Sequence, residues 1–331
     1  MAKTVLTFDM GDTYIKIAKK EGANVTVYSK QMPENMVKDG HIEMPSMMSN
    51  FLKECKKEFK LPKCDCGMVV PDELTVCRHL VLPAMTEKQL EVNLPFEFSD
   101  YITGKPQRYV YDYSLDEMIC DEEGNPKEMK LTGAVMSKEN VLKYVDMFKD
   151  AGFRLKTLIP QEIAITNVMK SAVASGRAQA DKEYCIVNLG HRSTQVYIFK
   201  GDKLDVLRNI YLGGATIDAA IAEMENVDEF VARTYKNNNF NGVLDTERTK
   251  EAFGRIAVEV MKVINFYRFS NRESELADIY FFGGCSNIYT LCDAIADTNG
   301  LWMKPMTDLL PSDVSKNTDM IGLYAIGVSM Q

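Results

Sequence analysis

The sequence predicts an α/β protein of two similar lobes, with a small α+β subdomain inserted in the first. The leading observation is an internal repeat. Phe8-Asp9-Met10-Gly11-Asp12-Thr13-Tyr14-Ile15-Lys16 returns as Val187-Asn188-Leu189-Gly190-His191-Arg192-Ser193-Thr194-Gln195, each residue 179 positions after its counterpart. Gly22 falls on Gly201, Val25 on Leu204 and Val27 on Val206 at the same offset. Both copies read as strand, glycine turn, strand, glycine turn, strand, and self-similarity at a fixed offset sets architecture before local detail. Two Gly-Gly turns that lead into helices, and a stretch at 77–157 with no counterpart after the second copy, complete the prediction.

The elements follow in order. Strands are expected at 3–9, 13–20 and 23–30, then a helix at about 46–59 whose Met48, Phe51, Leu52, Cys55 and Phe59 recur at helical spacing. Cys66 to Pro71 reads as a short buried strand. In the inserted stretch, Val76 to Leu82 is strand-like and stops at Pro83. The helical pattern at 86–100 contains Pro95, which should break or kink it. Tyr109 to Tyr113 and Lys130 to Met136 have the residue types of strands, separated by the turn residues 121–126. Ser137 is a candidate N-cap for a helix with Val141, Leu142, Val145 and Phe148 on its apolar side, closed by Gly152. A helix near 160–175 returns the chain. In the second lobe, Leu212-Gly213-Gly214 enters a helix carrying Ile217, Ile221 and Met224. The polar run Lys236 to Asn241 is expected as a loop before a long helix at 246–269. Ile279 to Gly284 reads as a strand entering a glycine turn, followed by a helix with Ile288, Leu291, Cys292 and Ile295. The chain ends in a small-residue helix at 322–330. The expected domains are 1–76 with the return segment 158–183, the insertion 77–157, and 184–331.

Bulk composition excludes several classes. With 46% hydrophobic and 26% charged residues the chain is an ordinary folded protein. A net charge of −8 argues against non-specific nucleic-acid binding and against a basic membrane-surface patch. No apolar run reaches the ~18 residues that span a bilayer, and Asp9 interrupts what would be the apolar stretch of a signal peptide. The eight cysteines form no paired CxxC motifs and the three histidines (His41, His79, His191) are scattered, so reduced thiols are expected and a zinc site is not.

The chemistry concentrates in the glycine turns. Glycine lets backbone N–H groups approach an anion, and a helix N-terminus adds a favourable dipole. Gly11 and Gly190 mark two strand–turn–strand units, and Gly213-Gly214 and Gly283-Gly284 mark two strand-to-helix turns. Spaced as two pairs across a duplication, they predict a phosphate cleft between lobes.

On these residues the chain resembles the actin/Hsp70/sugar-kinase superfamily, and within it the PilM family of type IV pilus assembly and its FtsA relatives. Asp9-x-Gly11-x-x-x-x-Lys16 resembles the first phosphate motif and Asn188-x-Gly190 stands at the second. Tyr211-Leu212-Gly213-Gly214 is similar to the family's IGG turn, and Phe282-Gly283-Gly284 to its adenosine motif. Glu259 to Tyr267, with Asn265-Phe266-Tyr267-Arg268, resembles the helix before that motif. The insertion with Leu80-Val81-Leu82-Pro83 is similar to the subdomain that PilM and FtsA carry in the first lobe. The resemblance implies a duplicated actin-like (ribonuclease H-like) fold. It implies ATP held by Asp9, Gly11, Asp12, Thr13, Lys16, Asn188, Gly190, Arg192, Ser193, Gly213, Gly214, Glu229, Gly283 and Gly284, with Mg²⁺ on Asp9 through water.

Departures from the pattern weaken catalysis. Active members use an Asp in each phosphate motif to organise Mg²⁺ and its waters. Here the second is Asn188, a neutral amide that is neither carboxylate ligand nor base. Asp12 adds negative charge beside the phosphate, which is unfavourable. In the helix corresponding to Ala-Glu-x-x-Lys, at about Asp228 to Ala232, Glu229 is kept and the Lys is lost, with Arg233 adjacent. His191 and Arg192 partly restore positive charge, and Gln195, opposite Lys16 in the repeat, reads as a plain strand residue. Binding without rapid hydrolysis is expected, and no catalytic residue is assigned.

The resemblance further implies a cytoplasmic adaptor on the inner face of the membrane. Its partner would be the short cytoplasmic N-terminal peptide of a PilN-type membrane protein, held in a groove between the first lobe and the inserted subdomain. Other inner-membrane pilus components and self-association are also implied. FtsA reaches the membrane by a terminal amphipathic helix, which is not found in this sequence. The alternatives are a filament-forming FtsA-like division protein and an active small-molecule kinase or ATPase of the same fold.

Overall fold

A computed structural model describes residues 4–38, 40–315 and 320–330. Residue 3, the expected start of the first strand, lies outside the described residues. The chain divides into two compact units, Met1–Pro33 with Ala164–Gln331, and Glu34–Ile163. Among the described residues no helix is long and apolar enough to cross a membrane.

The first unit opens with an antiparallel meander, β1 (Thr4–Met10), β2 (Tyr14–Glu21) and β3 (Asn24–Gln31). Leu6, Phe8, Ile15 and Ile17 are wholly buried in it.

The second unit starts with a short hairpin, β4 (Val37–Lys38) and β5 (His41–Ile42), and α1 (Pro45–Glu58). Here α1 buries Met48, Phe51, Leu52 and Cys55 along the expected stripe. Strand β6 (Asp65–Val70) pairs in parallel with β10 (Arg154–Pro160). Between them stand β7 (Thr75–Pro83), α2 (Glu87–Glu97), β8 (Tyr109–Cys120), β9 (Pro126–Ser137) and α3 (Lys138–Asp150). The sheet order is β7-β9-β8, all antiparallel. One face packs on α2 through Leu90, Leu94 and Phe98 against Leu80, Met129, Leu131 and Val135. Both strands of the β8–β9 hairpin run longer than their strand-like cores suggest, because the Asp121–Asn125 turn closes the pair directly.

Two expectations here are corrected. Helix α2 runs through Pro95 rather than breaking there, and ends two residues later at Glu97. Phe148 is buried as expected, but Leu142 and Val145 are exposed and α3 buries Tyr144 and Met147 in their place. Ser137 does cap it, accepting from the Asn140 N–H at 3.2 Å.

The chain then re-enters the first unit along α4 (Gln161–Ala174). Strands β11 (Glu183–Leu189), β12 (Thr194–Lys200) and β13 (Lys203–Ile210) repeat the opening meander. Helices α5 (Gly214–Glu225), α6 (Glu229–Asn238) and α7 (Glu247–Ser270) follow, then β14 (Asp278–Phe282), α8 (Tyr289–Asn299), β15 (Trp302–Pro305), α9 (Ser312–Ser315) and α10 (Leu323–Ser329). The second sheet has the order β13-β12-β11-β14-β15, with β14 parallel to both β11 and β15. Along α7, Phe253, Ile256, Ala257, Val260, Ile264 and Tyr267 are buried on one side. The expected loop 236–241 is corrected: Lys236 to Asn238 complete α6, which stops where Asn239 takes a left-handed conformation.

Helix α10 packs on β1 and β2, where the Thr7 hydroxyl donates to the Ala325 carbonyl at 2.6 Å. It crosses α4 so closely that a Cβ on Gly327 would run into the Ala164 carbonyl.

Candidate functional site

The two copies of the repeat build the same turn. Gly11 N–H donates to Tyr14 O at 3.1 Å, and Gly190 N–H to Ser193 O at 3.1 Å. In both copies the motif residue faces a residue of the next strand in register, Asp9 opposite Lys16 and Asn188 opposite Gln195. Asp9 and Lys16 form an ion pair at 3.2 Å. Asn188 and Gln195 form its neutral counterpart, Nδ2 donating to Oε1 at 2.8 Å. Gln195 is thus more than a strand residue. It is buried, and it also accepts from the Tyr324 hydroxyl at 2.6 Å.

The strand ends gather the remaining glycine turns. Gly214 N–H donates to Gly190 O at 3.0 Å, Ala215 N–H to His191 O at 2.7 Å, and Cys285 N–H to Leu189 O at 2.9 Å. The first N–H groups of α5 are therefore spent on the second loop, which fixes that loop in place. Gly283 has φ of +107°, open to glycine at little cost, and a Cβ there would strike Asn188 Oδ1. Gly284 is exposed with open space around it. Glycines 11, 190, 213, 214, 283 and 284, with Asp9, Asp12, Thr13, Lys16, Asn188, Arg192 and Ser193, all belong to the first unit at these strand ends. Glu229 stands exposed in the first turn of α6, one turn before Arg233.

Behind the second loop lies a charge cluster. Asp218 on α5 is wholly buried, and Lys236 Nζ reaches its carboxylate at 2.5 Å while Arg233 Nε does so at 3.2 Å. Lys236 also donates to Gly214 O at 3.2 Å. Two cations on one carboxylate leave one excess positive charge beside the glycine turns. Lys236 was hidden in the sequence by the apparent polar loop. The available signal was Asp218, a carboxylate between Ile217 and Ile221 on the apolar side of its helix, which must find a cation when buried.

His191 does not add to this charge, contrary to expectation. Burial, then Lys236, Arg233 and Arg192, depress its pKa from 6.5 to about 3. The geometry agrees, because Arg233 Nη2 lies 3.2 Å from His191 Nε2 and a guanidinium only donates. The ring is a neutral acceptor. Asp12 is likewise not a bare negative charge, since Arg192 stands 3.8 Å away.

As a donor for magnesium Asp9 is already balanced by Lys16. That suits an ion that arrives with phosphate oxygens and keeps its waters, the usual manner of Mg²⁺.

A β-meander repeated with its loop chemistry and a helix, α10, returning to the first strand define a two-lobed actin-like fold. Solved structures agree. The chain is similar to a protein of the PilM–PilN type IV pilus biogenesis complex at 19% identity, covering 98% of this chain and 97% of that one, with a TM-score of 0.81. It is similar to the ethanolamine utilization protein EutJ from Carboxydothermus hydrogenoformans at 12% identity, covering 95% and 89%, with a TM-score of 0.57. It is also similar to MreB5 of Spiroplasma citri bound to ADP, at 13% identity over 99% and 95%, with a TM-score of 0.53. The chain belongs to the family described as Type IV pilus assembly protein PilM, which it matches over residues 8–309. No curated protein sequence matches it significantly.

Proposed function

We propose that the chain is a cytoplasmic actin-like adaptor of a type IV pilus or related secretion machine. It binds the short cytoplasmic N-terminal peptide of a PilN-type membrane protein and reaches the inner face of the membrane through that partner. The observation that carries this reading is the likeness to the PilM–PilN complex over 98% of the chain, together with family membership. The three-part division into 1–76 with 158–183, 77–157 and 184–331 belongs to the same reading.

ATP is the proposed ligand of the glycine turns, with Mg²⁺ carried on its phosphates and Asp9 contacting the ion through water. Lys16 and Arg192 would face the phosphates, Thr13, Ser193 and the loop N–H groups would complete the cradle, and Glu229 would meet the nucleoside. Support comes from the duplicated turns and from the excess charge at Lys236 and Arg233. With an amide at 188 and a neutral, arginine-bound His191, neither offers the carboxylate base that turnover requires, so little or no hydrolysis is expected.

Two measurements test the reading. A fluorescent peptide of the partner's cytoplasmic N-terminus should bind with a Kd near the micromolar range, about −8 kcal/mol, and absence of binding rejects the adaptor role. Thermal unfolding with Mg·ATP at ~100 times its Kd should show about 2.7 kcal/mol of added stability, and no shift rejects the ligand.

A further inference from the structure

The amide of Asn188 is held from three sides. Its Nδ2 donates to Gln195 Oε1 at 2.8 Å and to the Tyr324 hydroxyl oxygen at 3.2 Å. Tyr324 donates its own proton to Gln195 Oε1 at 2.6 Å. The Tyr197 hydroxyl lies 2.7 Å from that of Tyr324 and donates to it, so both Nδ2 hydrogens and both phenol protons have acceptors. Gln195, Tyr197 and Tyr324 are all buried. Turning the Asn188 amide over would set its oxygen against Gln195 Oε1, two acceptors without a proton between them. The oxygen therefore points the other way, at the backbone of Gly283, where no methyl group would fit.

The first copy of the repeat places a different pair at the same two positions. Asp9 and Lys16 are complementary as ions, and Asn188 and Gln195 are complementary as amides. A carboxylate at 188 would lose both Nδ2 donations, to Gln195 Oε1 and to the Tyr324 hydroxyl, and the Gln195 amide would have to turn over to meet it. The second motif is thus built around an amide, in concert with a tyrosine from α10. The same turn of α10 touches the first motif's strand, since Ala325 O accepts from Thr7, two residues before Asp9.

We infer that Gln195 and Tyr324 are positioning residues that lock the Asn188 amide in one orientation, so that the second motif presents a fixed neutral acceptor where the first presents a carboxylate. The functional consequence rests on the nucleotide reading above. Oδ1 accepts a hydrogen bond from a water or hydroxyl of a bound nucleoside triphosphate but takes up no proton from it.

Side-chain amide exchange in the ¹⁵N-labelled full chain tests the lock without any nucleotide. The Asn188 NH₂ protons should exchange with water at least about tenfold more slowly than those of exposed Asn237, as hydrogen bonding to buried acceptors demands. In Tyr324→Phe that protection should fall by about fivefold to tenfold while the β11 and β12 backbone signals hold their positions. Exchange of Asn188 as fast as Asn237 overturns the inference in the wild type alone, so a variant that fails to fold does not rescue it. Unchanged protection in a folded Tyr324→Phe overturns it equally. Titration with Mg·ATP separates the two readings. A protected Asn188 in a protein that shows no nucleotide-induced shift removes the ligand and leaves the positioning intact.

Discussion

Asp9 and Lys16 stand opposite each other across the β1–β2 ladder and pair at 3.2 Å, with only 7% and 13% of their side chains open to water. The carboxylate and the ammonium therefore neutralise one another. Gly11 makes the approach possible, because a Cβ there would stand 2.8 Å from Lys16 Nζ. Lys16→Met should leave Asp9 enclosed without a cation. Breaking a fully buried pair costs ~3–5 kcal/mol, and the residual exposure here lowers the expectation to about 2 kcal/mol. The double variant Asp9→Asn/Lys16→Met should lose less than the sum of the single changes. Urea unfolding of the three proteins measures the coupling, and strict additivity would show that the pair contributes nothing.

The Asp218–Lys236 pair makes a sharper case, since neither side chain is more than 5% exposed. Asp218→Asn should cost about 3–5 kcal/mol, because it leaves Lys236 and Arg233 facing one another over a neutral amide. Lys236→Met should cost less, since Arg233 still balances the carboxylate. Chemical denaturation ranks them, and the reverse order would mean that Lys236 serves chiefly to hold Gly214 O.

These two pairs also mark where the sequence was legible. The repeat aligned Asp9 with Asn188 and Lys16 with Gln195, whereas the facing of Asp9 on Lys16 and of Asn188 on Gln195 came only with the strand register. It also located the four glycine turns. It could not reveal Lys236, since Lys-Asn-Asn-Asn reads as solvated polar loop and only the packing of α6 on α5 turns that lysine inward. The Tyr324 hydroxyl was equally hidden. It lies 136 residues from Asn188, in a helix that reads as small and apolar. Leu142 and Val145 misled in the opposite sense, as apolar periodicity names a stripe but not which of two overlapping stripes meets the core.

The two perturbed histidines predict opposite pH trends. His191 has its folded pKa depressed from 6.5 to about 3. Between those values the unfolded chain binds a proton that the native protein refuses, so stability falls as pH drops through that window, by up to ~1.4 kcal/mol per pH unit. His191→Gln should flatten this acid-side loss. His79 is raised instead, first by Glu162, whose carboxylate lies 2.9 Å from Nε2. Thr132 gives its hydroxyl proton to Asp116 at 2.8 Å, so it accepts from His79 Nδ1 at 3.0 Å. The contribution of His79 is complete below pH 6.5 and is lost as pH rises through its folded value. With 58% of the side chain exposed, solvent keeps that contribution small. Denaturation midpoints of wild type, His191→Gln and His79→Gln from about pH 4 to about pH 8 separate the two trends, and parallel profiles would refute both.

Two helical glycines should respond to alanine with opposite signs. Gly327 in α10 lies against the backbone of α4, where a Cβ would run into the Ala164 carbonyl. Asn167 Nδ2 further ties the crossing by donating to Gly327 O at 3.2 Å. Backbone cannot rotate aside as a side chain does, so Gly327→Ala should separate the helices and cost more than ~3 kcal/mol. The damage should spread to the network that Tyr324 anchors three residues earlier. Gly254 in α7 has nothing within reach of an added Cβ. There alanine removes the backbone freedom that glycine brings to a helix interior, and Gly254→Ala should stabilise the protein by about 0.5–1 kcal/mol. Thermal unfolding of both variants reads the contrast directly. A destabilised Gly254→Ala would place a partner surface or a second copy of the chain on that face of α7, and a tolerated Gly327→Ala would mean that α4 and α10 move apart without cost.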